Sequence, residues 1–369
     1  MKSENITLLI ISLLLFTSFA DGEPNDFKPV SSNDVNYVLN MLAAHIQDNY
    51  DRINTWEGEI EYTYHKWYRD NSAEIEFRDH VQSNEQAPGE FEKTANGKKG
   101  FVIDSKKDNI SIHYIPIGQM SLLDTKTNRS FESDADRREE TVIVTPNYLM
   151  ECGPYRYDYK GNKKELVQRI GIKRPVPSNP MMTWEEDPRV TLKSRGLPIW
   201  IQLESLIKKG LKQGGFSIKL EKRADNGFVE YRLEEPVVAD GNAFGLMRMI
   251  FPGNKGFIIT EYEYTDTNGN IQAKQTIDFT LIDGIYLPSL RHTLQYDENG
   301  RIQTDKTEIF KNIRVNKTIP EDSFTYENAG LKNGDFVKDE ITNKKYEYRD
   351  ANLILITEPN SSEGTHPPK

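Results

Sequence analysis

The 369-residue sequence contains a single cysteine, Cys152, so it can form no internal disulfide. That excludes the small disulfide-stapled class of secreted domains and leaves the fold to rest on its core. Basic charge is also short. Lys and Arg supply 47 residues against 57 Asp and Glu, a formal net charge of −10. No long basic run offsets this balance, so neither a general nucleic-acid surface nor an anionic-membrane patch is encoded. Hydrophobic residues make up only 36%, but 18 Tyr, 16 Phe and 4 Trp supply enough apolar area for a core. At roughly 150 residues per domain, the length allows one large domain or two ordinary ones.

Long apolar runs are missing everywhere except at the amino terminus. There Lys2 precedes the largely apolar Ile6–Phe16, and Ser18-Phe19-Ala20 places small residues where a signal peptidase would cut. The run is too short for the roughly 20 residues that span a bilayer, so residues 1–20 read as a secretory signal peptide. No Cys follows the run, so no lipid anchor is expected, and the mature chain reads as periplasmic or extracellular.

Residues 21–33 read as a polar tether. Apolar positions then fall at Val35, Leu39, Leu42, Ile46, Tyr50 and Ile53, one face of a helix that Asn33 or Asp34 can cap. At Trp56 the period changes to two. Trp56, Gly58, Ile60, Tyr62, Tyr64, Lys66 and Tyr68 share one parity, while Glu57, Glu59, Glu61, Thr63 and His65 share the other, as in a strand of a half-buried sheet. Hairpins are expected over 101–115 and 120–132, and Pro146–Met150 reads as the start of a short helix. Cys152 is expected in a loop. Around 153–190 the prolines argue against long helices and central strands. Leu197–Gln213 has helical spacing, closed by Gly214-Gly215. Turn signals then recur at Asn226-Gly227, Gly253-Asn254, Asn268-Gly269, Asp283-Gly284 and Asn299-Gly300, which predicts a meander of antiparallel hairpins. In that meander Ile277, Phe279 and Leu281 hold one parity.

Local catalytic motifs are absent. There is no GxSxG, P-loop, GxGxxG, HExxH or CxxC, and His45, His65, His80, His113, His292 and His366 show no metal-ligand pairing. Asp266–Asn270 resembles a calcium loop, but Ile277 stands where the closing Glu would be, so a hairpin turn is expected. Neighbouring Glu59 and Glu61 could share acid and base roles, yet three carboxylates opposite an aromatic face read as a solvated sheet face. No cofactor and no metal are expected.

The fold class that follows is mainly β with α, a large curved antiparallel sheet forming an open half-barrel covered by helices. The order of elements resembles the periplasmic lipoprotein-carrier superfamily, which includes LolA and RseB. The features that carry the likeness are the signal peptide, the helix over 34–53, the opening Thr55-Trp56-Glu57-Gly58, and the closing segment with Ile313-Arg314-Val315-Asn316 and Ile319-Pro320-Glu321-Asp322-Ser323-Phe324 before Asn333-Gly334. The likeness extends over about 34–357, interrupted by an unmatched insertion near 150–215 and followed by a tail at 358–369. It implies an exported carrier or sensor that holds a lipid or an acylated protein, with a membrane-bound partner in prospect. The cavity-lining residues would then be Trp56, Ile60, Tyr62, Tyr64, Ile277, Phe279 and Leu281. Two other readings stay open: a non-enzymatic exported interaction module whose sheet is filled by its own side chains, and an exported hydrolase with dispersed carboxylates.

Overall fold

The computed structural model describes residues 27–69, 90–105, 107, 109–116, 120–124, 128, 130–133, 140–160, 163–175, 193–194, 197–198, 203–204, 206–207, 212–213, 216–225, 227–239 and 242–356. The expected signal peptide, most of the tether, the stretch 176–190 and the carboxy-terminal tail lie outside the described residues. One α-helix stands among them, α1 (Val35–Asp51). Val35, Val38, Leu39, Leu42, Ala43 and Ile46 are its buried stripe, as the spacing requires. Asp34 takes the N-cap position, but its side chain makes no capping hydrogen bond; its carbonyl accepts the Val38 N–H at 2.9 Å.

In chain order the strands are β1 (Lys28–Pro29), β2 (Thr55–Tyr68), β3 (Phe91–Asp104), β4 (Asn109–Pro116), β5 (Met120–Asp124), β6 (Ser130–Ser133), β7 (Glu140–Val144), β8 (Leu149–Lys160) and β9 (Lys163–Arg174). Two short pairs follow, β10 (Lys193–Ser194) with β11 (Leu197–Pro198), and β12 (Lys212–Gln213) with β13 (Phe216–Ser217). The meander is β14 (Lys219–Asp225), β15 (Phe228–Ala239), β16 (Asn242–Pro252), β17 (Glu261–Asp266), β18 (Ile271–Ile282), β19 (Ile285–Tyr296) and β20 (Ile302–Val315). β21 (Phe336–Asp339), β22 (Lys344–Arg349) and β23 (Asn352–Leu355) follow it.

Nineteen of these strands join one sheet. It runs β1, then β14 through β20 in sequence, then β2, β3, β4, β7, β8, β9, β21, β22 and β23, with β5 and β6 branching from β3. Every pairing is antiparallel except β9 with β21. The sheet is open and curved. β2 is threaded between β3 and β20, so the first strand after the helix sits mid-sheet. Asn316, at φ 54°, locks that junction: its Oδ1 accepts the Asn54 N–H at 2.7 Å and its Nδ2 donates to the Arg52 carbonyl at 2.8 Å.

Several expectations are corrected. The sheet is not covered by several helices: among the described residues α1 is the single long helix, with short helical pieces at Leu203–Glu204 and Leu206–Ile207, where Leu203 and Leu206 pack against α1. The rest of the expected 197–213 helix is either short strand or outside the described residues. Lys28–Pro29, expected in a tether, pairs as an edge strand with β14. Pro146–Met150 starts no helix; a turn there leads into β8, so Cys152 is a buried strand residue, not a loop residue. Two twelve-residue strands, β8 and β9, occupy the region where prolines argued against them. Pro154 is tolerated because the register shifts between Pro154 and Arg156, a bulge that spares the ladder a missing N–H. At Asp266 the hairpin turn stands: Oδ1 accepts the N–H groups of Asn268 and Asn270 at 2.8 and 2.9 Å.

Three clusters make the core. The first packs α1 on Leu220, Leu233, Met249 and Phe251. The second joins Ile53, Trp56, Ile60, Phe101, Ile103, Ile277, Phe279, Ile285, Leu287, Phe310 and Val315. Tyr50 at the helix end touches both. The third, around Ile143, Met150, Cys152, Leu331 and Val337, belongs to the β7–β9 and β21–β22 part of the sheet.

Candidate functional site

α1 packs on β14, β15 and β16, and its last turn reaches the second core cluster through Tyr50. On β2, β3, β19 and β20 the residues of that cluster fall at one end of the strands. On β2 they are Trp56 and Ile60; across the unbroken register Trp56 faces Ile103 and Gly58 faces Phe101. On β20 they are Phe310 and Val315, opposite Ile60 and Trp56.

The same face continues past the core with different chemistry. β2 presents Tyr62, Tyr64 and Lys66, and β3 presents Gly97, Ala95 and Lys93 opposite them. β20 supplies Glu308, Lys306 and Thr304 opposite Tyr62, Tyr64 and Lys66. β19 supplies Arg291, Thr293 and Gln295. On β19 burial falls from Leu287, fully enclosed, to Gln295, which is exposed, but on β2 and β3 the same face closes again at Tyr68 and Phe91, buried rings stacked 4.6 Å apart. Tyr62, Tyr64, Lys66 and Lys306 are half-buried. The Tyr62 ring lies flat on the β3 backbone, and only glycine fits beneath it. A Cβ at Gly97 would stand 2.1 Å from the phenol oxygen. Lys99 Nζ sits 5.5 Å from the centre of that ring.

Beside the packed cluster a charged group is buried. Glu308 is 1% exposed and Arg291 5%. The Arg291 Nε and its terminal nitrogen each donate to Glu308 Oε2 at 2.5 Å, and Lys306 Nζ lies 3.1 Å from Oε1. Burial by itself would raise the Glu308 carboxyl. Arg291, then Lys306 and Lys99, outweigh it and hold the group below the ordinary glutamate range. One carboxylate thus stands among several cations on an inner face that is otherwise Tyr and Thr.

The residues singled out from the sequence separate into three environments. Trp56, Ile60, Ile277 and Phe279 belong to the packed end. Tyr62 and Tyr64 lie beyond it on the same face and are half-buried. Leu281 joins neither and is 56% exposed. The register shifts between Asp278 and Phe279, so the buried Ile285 and Leu287 have Ile282 and Thr280 as cross-strand partners, and Leu281 is turned away from them. Sequence reading missed Lys66, Lys93, Arg291, Lys306 and Glu308. The signal was present on β2, where Lys66 shares the aromatic parity.

The acidic face of β2 is neutralised across strands. Glu57 pairs with Arg314 at 2.8 Å, Glu59 with Lys98 at 3.0 Å, and Glu61 with Lys311. The hydrogen bond from Lys98 lowers Glu59 and that from Lys311 lowers Glu61, the opposite of what a general acid needs. On this face a groove of about 810 Å³ opens above Gly58, Gly100 and Ser111, walled by His113, Arg314 and Asn328. His113 and His292 are held by Thr141 and Asp305, at 2.8 and 2.9 Å.

The structural neighbours that span most of the chain are LolA-superfamily and lipoprotein-sorting proteins, at low sequence identity. A LolA superfamily protein from Nitrosomonas europaea is 9% identical, covering 78% of this chain and 98% of its own, with a TM-score of 0.35. A DUF1329 family protein from Desulfovibrio piger is 13% identical over 79% of this chain and 98% of its own, at 0.33. A domain described by its outer-membrane lipoprotein-sorting role, from Vibrio parahaemolyticus, is 9% identical over 78% and 97%, at 0.29. No protein-family model and no curated protein matches the sequence. No helix among the described residues is long and apolar enough to cross a membrane.

Proposed function

We propose that the chain is an exported, non-enzymatic carrier or sensor that holds the acyl chain of a lipid or acylated protein against the half-buried stretch of the inner sheet face. The observation that supports this reading is the change along β2, β3, β19 and β20 from a packed apolar end to half-buried tyrosines on the same face. In this reading Trp56, Ile60, Ile277 and Phe279 form the closed end, and Tyr62 and Tyr64 line the cavity. Tyrosine suits such a surface, since its ring offers apolar area and its hydroxyl tolerates water when the site is empty. Burying an acyl chain there gains about 0.8 kcal/mol per methylene. Export rests on the amino-terminal sequence pattern alone.

The test is organic extraction of the purified protein followed by mass spectrometry, together with titration by a fluorescent fatty acid. Co-purified lipid or saturable binding is expected. If neither is found, the alternative is an interaction module with a filled core. The near-complete burial of Trp56, Ile60 and Phe279 favours that alternative.

A further inference from the structure

We infer that the groove on the outer, acidic face of β2, β3 and β4 binds a neutral polyhydroxylated ligand, a saccharide, with Glu59, Ser111, Asn312 and Asn328 as its direct contacts. The inference goes beyond the carrier reading and concerns the opposite face of the sheet.

Three observations build the site. Across the strands, one row of this face runs Glu59, Gly100, His113 and Thr141, and the next runs Arg314, Glu57, Val102, Ser111 and Ile143. The first row is empty at Gly100. Glycine at 58 has a packing reason, since a Cβ there would stand 2.6 Å from Ile313 Cδ1 and 3.1 Å from the Lys311 carbonyl. Gly100 has none: its φ lies outside the left-handed region, and a Cβ would meet nothing within 4 Å. Glycine weakens a strand interior, and one reason to keep it is the close approach of a ligand. Second, Ser111 lines the groove at 5% exposure, and its hydroxyl makes no hydrogen bond among the described residues. A buried hydroxyl left without a partner is costly, and a ligand would satisfy it. Third, the register shift between Glu57 and Glu59 re-aims the far wall. It accompanies Asn312 at φ 53°, whose Nδ2 donates to Glu59 Oε2 at 3.0 Å.

The lining selects the class of ligand. Arg314 and Lys98 are already matched by Glu57 and Glu59, so an anion gains little. β2, β3 and β4 are each paired on both sides, so no strand edge is open to an extended peptide. What remains is acceptor capacity. Asn312 and Asn328 spend amide N–H groups on Glu59 and on the Ser323 carbonyl, which leaves both amide oxygens to accept. Lys98 and Asn312 both contact Glu59 at Oε2, so the carboxylate uses only part of its about four lone-pair sites. Sugar hydroxyls donate to such oxygens and accept from Ser111. Val102 and Ile313 add an apolar strip for the C–H face of a sugar ring. The groove, about 810 Å³, falls within the roughly 300–1,000 Å³ of small-molecule sites.

The test is binding of the full chain to a printed array of neutral and acidic glycans, followed by calorimetry with the best neutral binder. Saturable binding of a neutral glycan is expected. Gly100→Leu should abolish it, because the new side chain occupies the groove, while the urea melt shows no loss of stability. Ser111→Ala should weaken it about two- to tenfold, the size of one neutral hydrogen bond, again without loss of stability. Ile354→Ser, at an exposed position on β23, should leave it unchanged. If Gly100→Leu does not fold, Ser111→Ala decides. An array on which no neutral glycan binds, or only acidic ones do, would overturn the inference. So would a neutral glycan that binds both groove variants as tightly as the parent, because its site would then lie elsewhere. Acyl-probe binding is a separate readout, and its loss or absence bears on the carrier reading alone.

Discussion

The two ends of β2 have the same backbone, the same register with β3 and the same parity, and they differ in what stands on the inner face. At one end that face is Trp56 and Ile60; ten residues after Trp56 it is Lys66, followed by the buried Tyr68. The alternation of period two continues without a break, so it shows which face points inward but not how far along the strand that face is filled. Burial shows how far it is filled: β2 is enclosed at Trp56 and Ile60, half-buried at Tyr62, Tyr64 and Lys66, and enclosed again at Tyr68.

The largest expected effect tests the packed end. Phe279→Ala should lower unfolding free energy by about 3–5 kcal/mol, because a large buried ring leaves a cavity that the sheet cannot collapse into. Tyr64→Ala, half-buried on the same inner face, should cost clearly less. Urea melts of the two variants measure the difference directly. Equal losses would mean that the inner face is filled along its whole length.

The boundary between the ends comes next. Arg291→Met leaves the Glu308 carboxylate buried with Lys306 as its near partner, and should cost about 3 kcal/mol. A compensating Glu308→Leu in the same chain should recover most of that, since a buried pair replaced by apolar residues is often neutral. The double-mutant cycle separates the worth of the pair from the cost of stranding one charge. A double variant no better than Arg291→Met would show that the pair is needed for more than charge balance.

Much of this architecture was legible. The helix spacing located α1 to within two residues at its end, and alternation gave β2 with the right residues buried. Asp283-Gly284 marked a hairpin because two adjacent residues with positive φ are needed there, and the structure has them at 52° and 77°. What stayed hidden depends on partners distant in sequence. β8 and β9 looked irregular because prolines weaken strand signals, and the Pro154 bulge cannot be seen without its partner Arg169. Leu281 followed its parity on paper; the register shift before it was invisible. The cations of the inner face were missed for the same reason. Lys66 is 27 residues from Lys93 and 240 from Lys306, and only the pairing order brings the three strands together. Periodicity assigns faces within a strand, whereas charge clusters form between strands.

A smaller effect follows from pH. The folded-state pKa of Glu308 lies below its unfolded value, so the group stabilises the fold above the unfolded pKa, near about 4.3. That contribution is lost as pH falls through the lower folded value. Stability to urea should therefore hold between neutrality and about pH 5 and decline below about pH 4, and Glu308→Gln should decline less steeply over that lower range. An acid limb that is the same in both proteins would place the titration elsewhere, since Asp339 is depressed as well, against its own burial, by hydrogen bonds from Thr342 and Lys173.

The smallest expected change in stability is the sharpest comparison of the two ends. Lys66 is held over the Tyr68 ring, a contact worth about 0.5–1 kcal/mol where it is partly exposed. It also stands opposite Lys93, a like-charge pair that costs about 0.2–1 kcal/mol. The two effects oppose each other at similar size. Lys66→Met keeps the length of the stem and should leave unfolding free energy within about 0.5 kcal/mol of the parent. A variant that unfolds early would show that Lys66 contributes more than these two contacts, and that this stretch of β2 is packed as tightly as Ile60 and Tyr68 on either side of it.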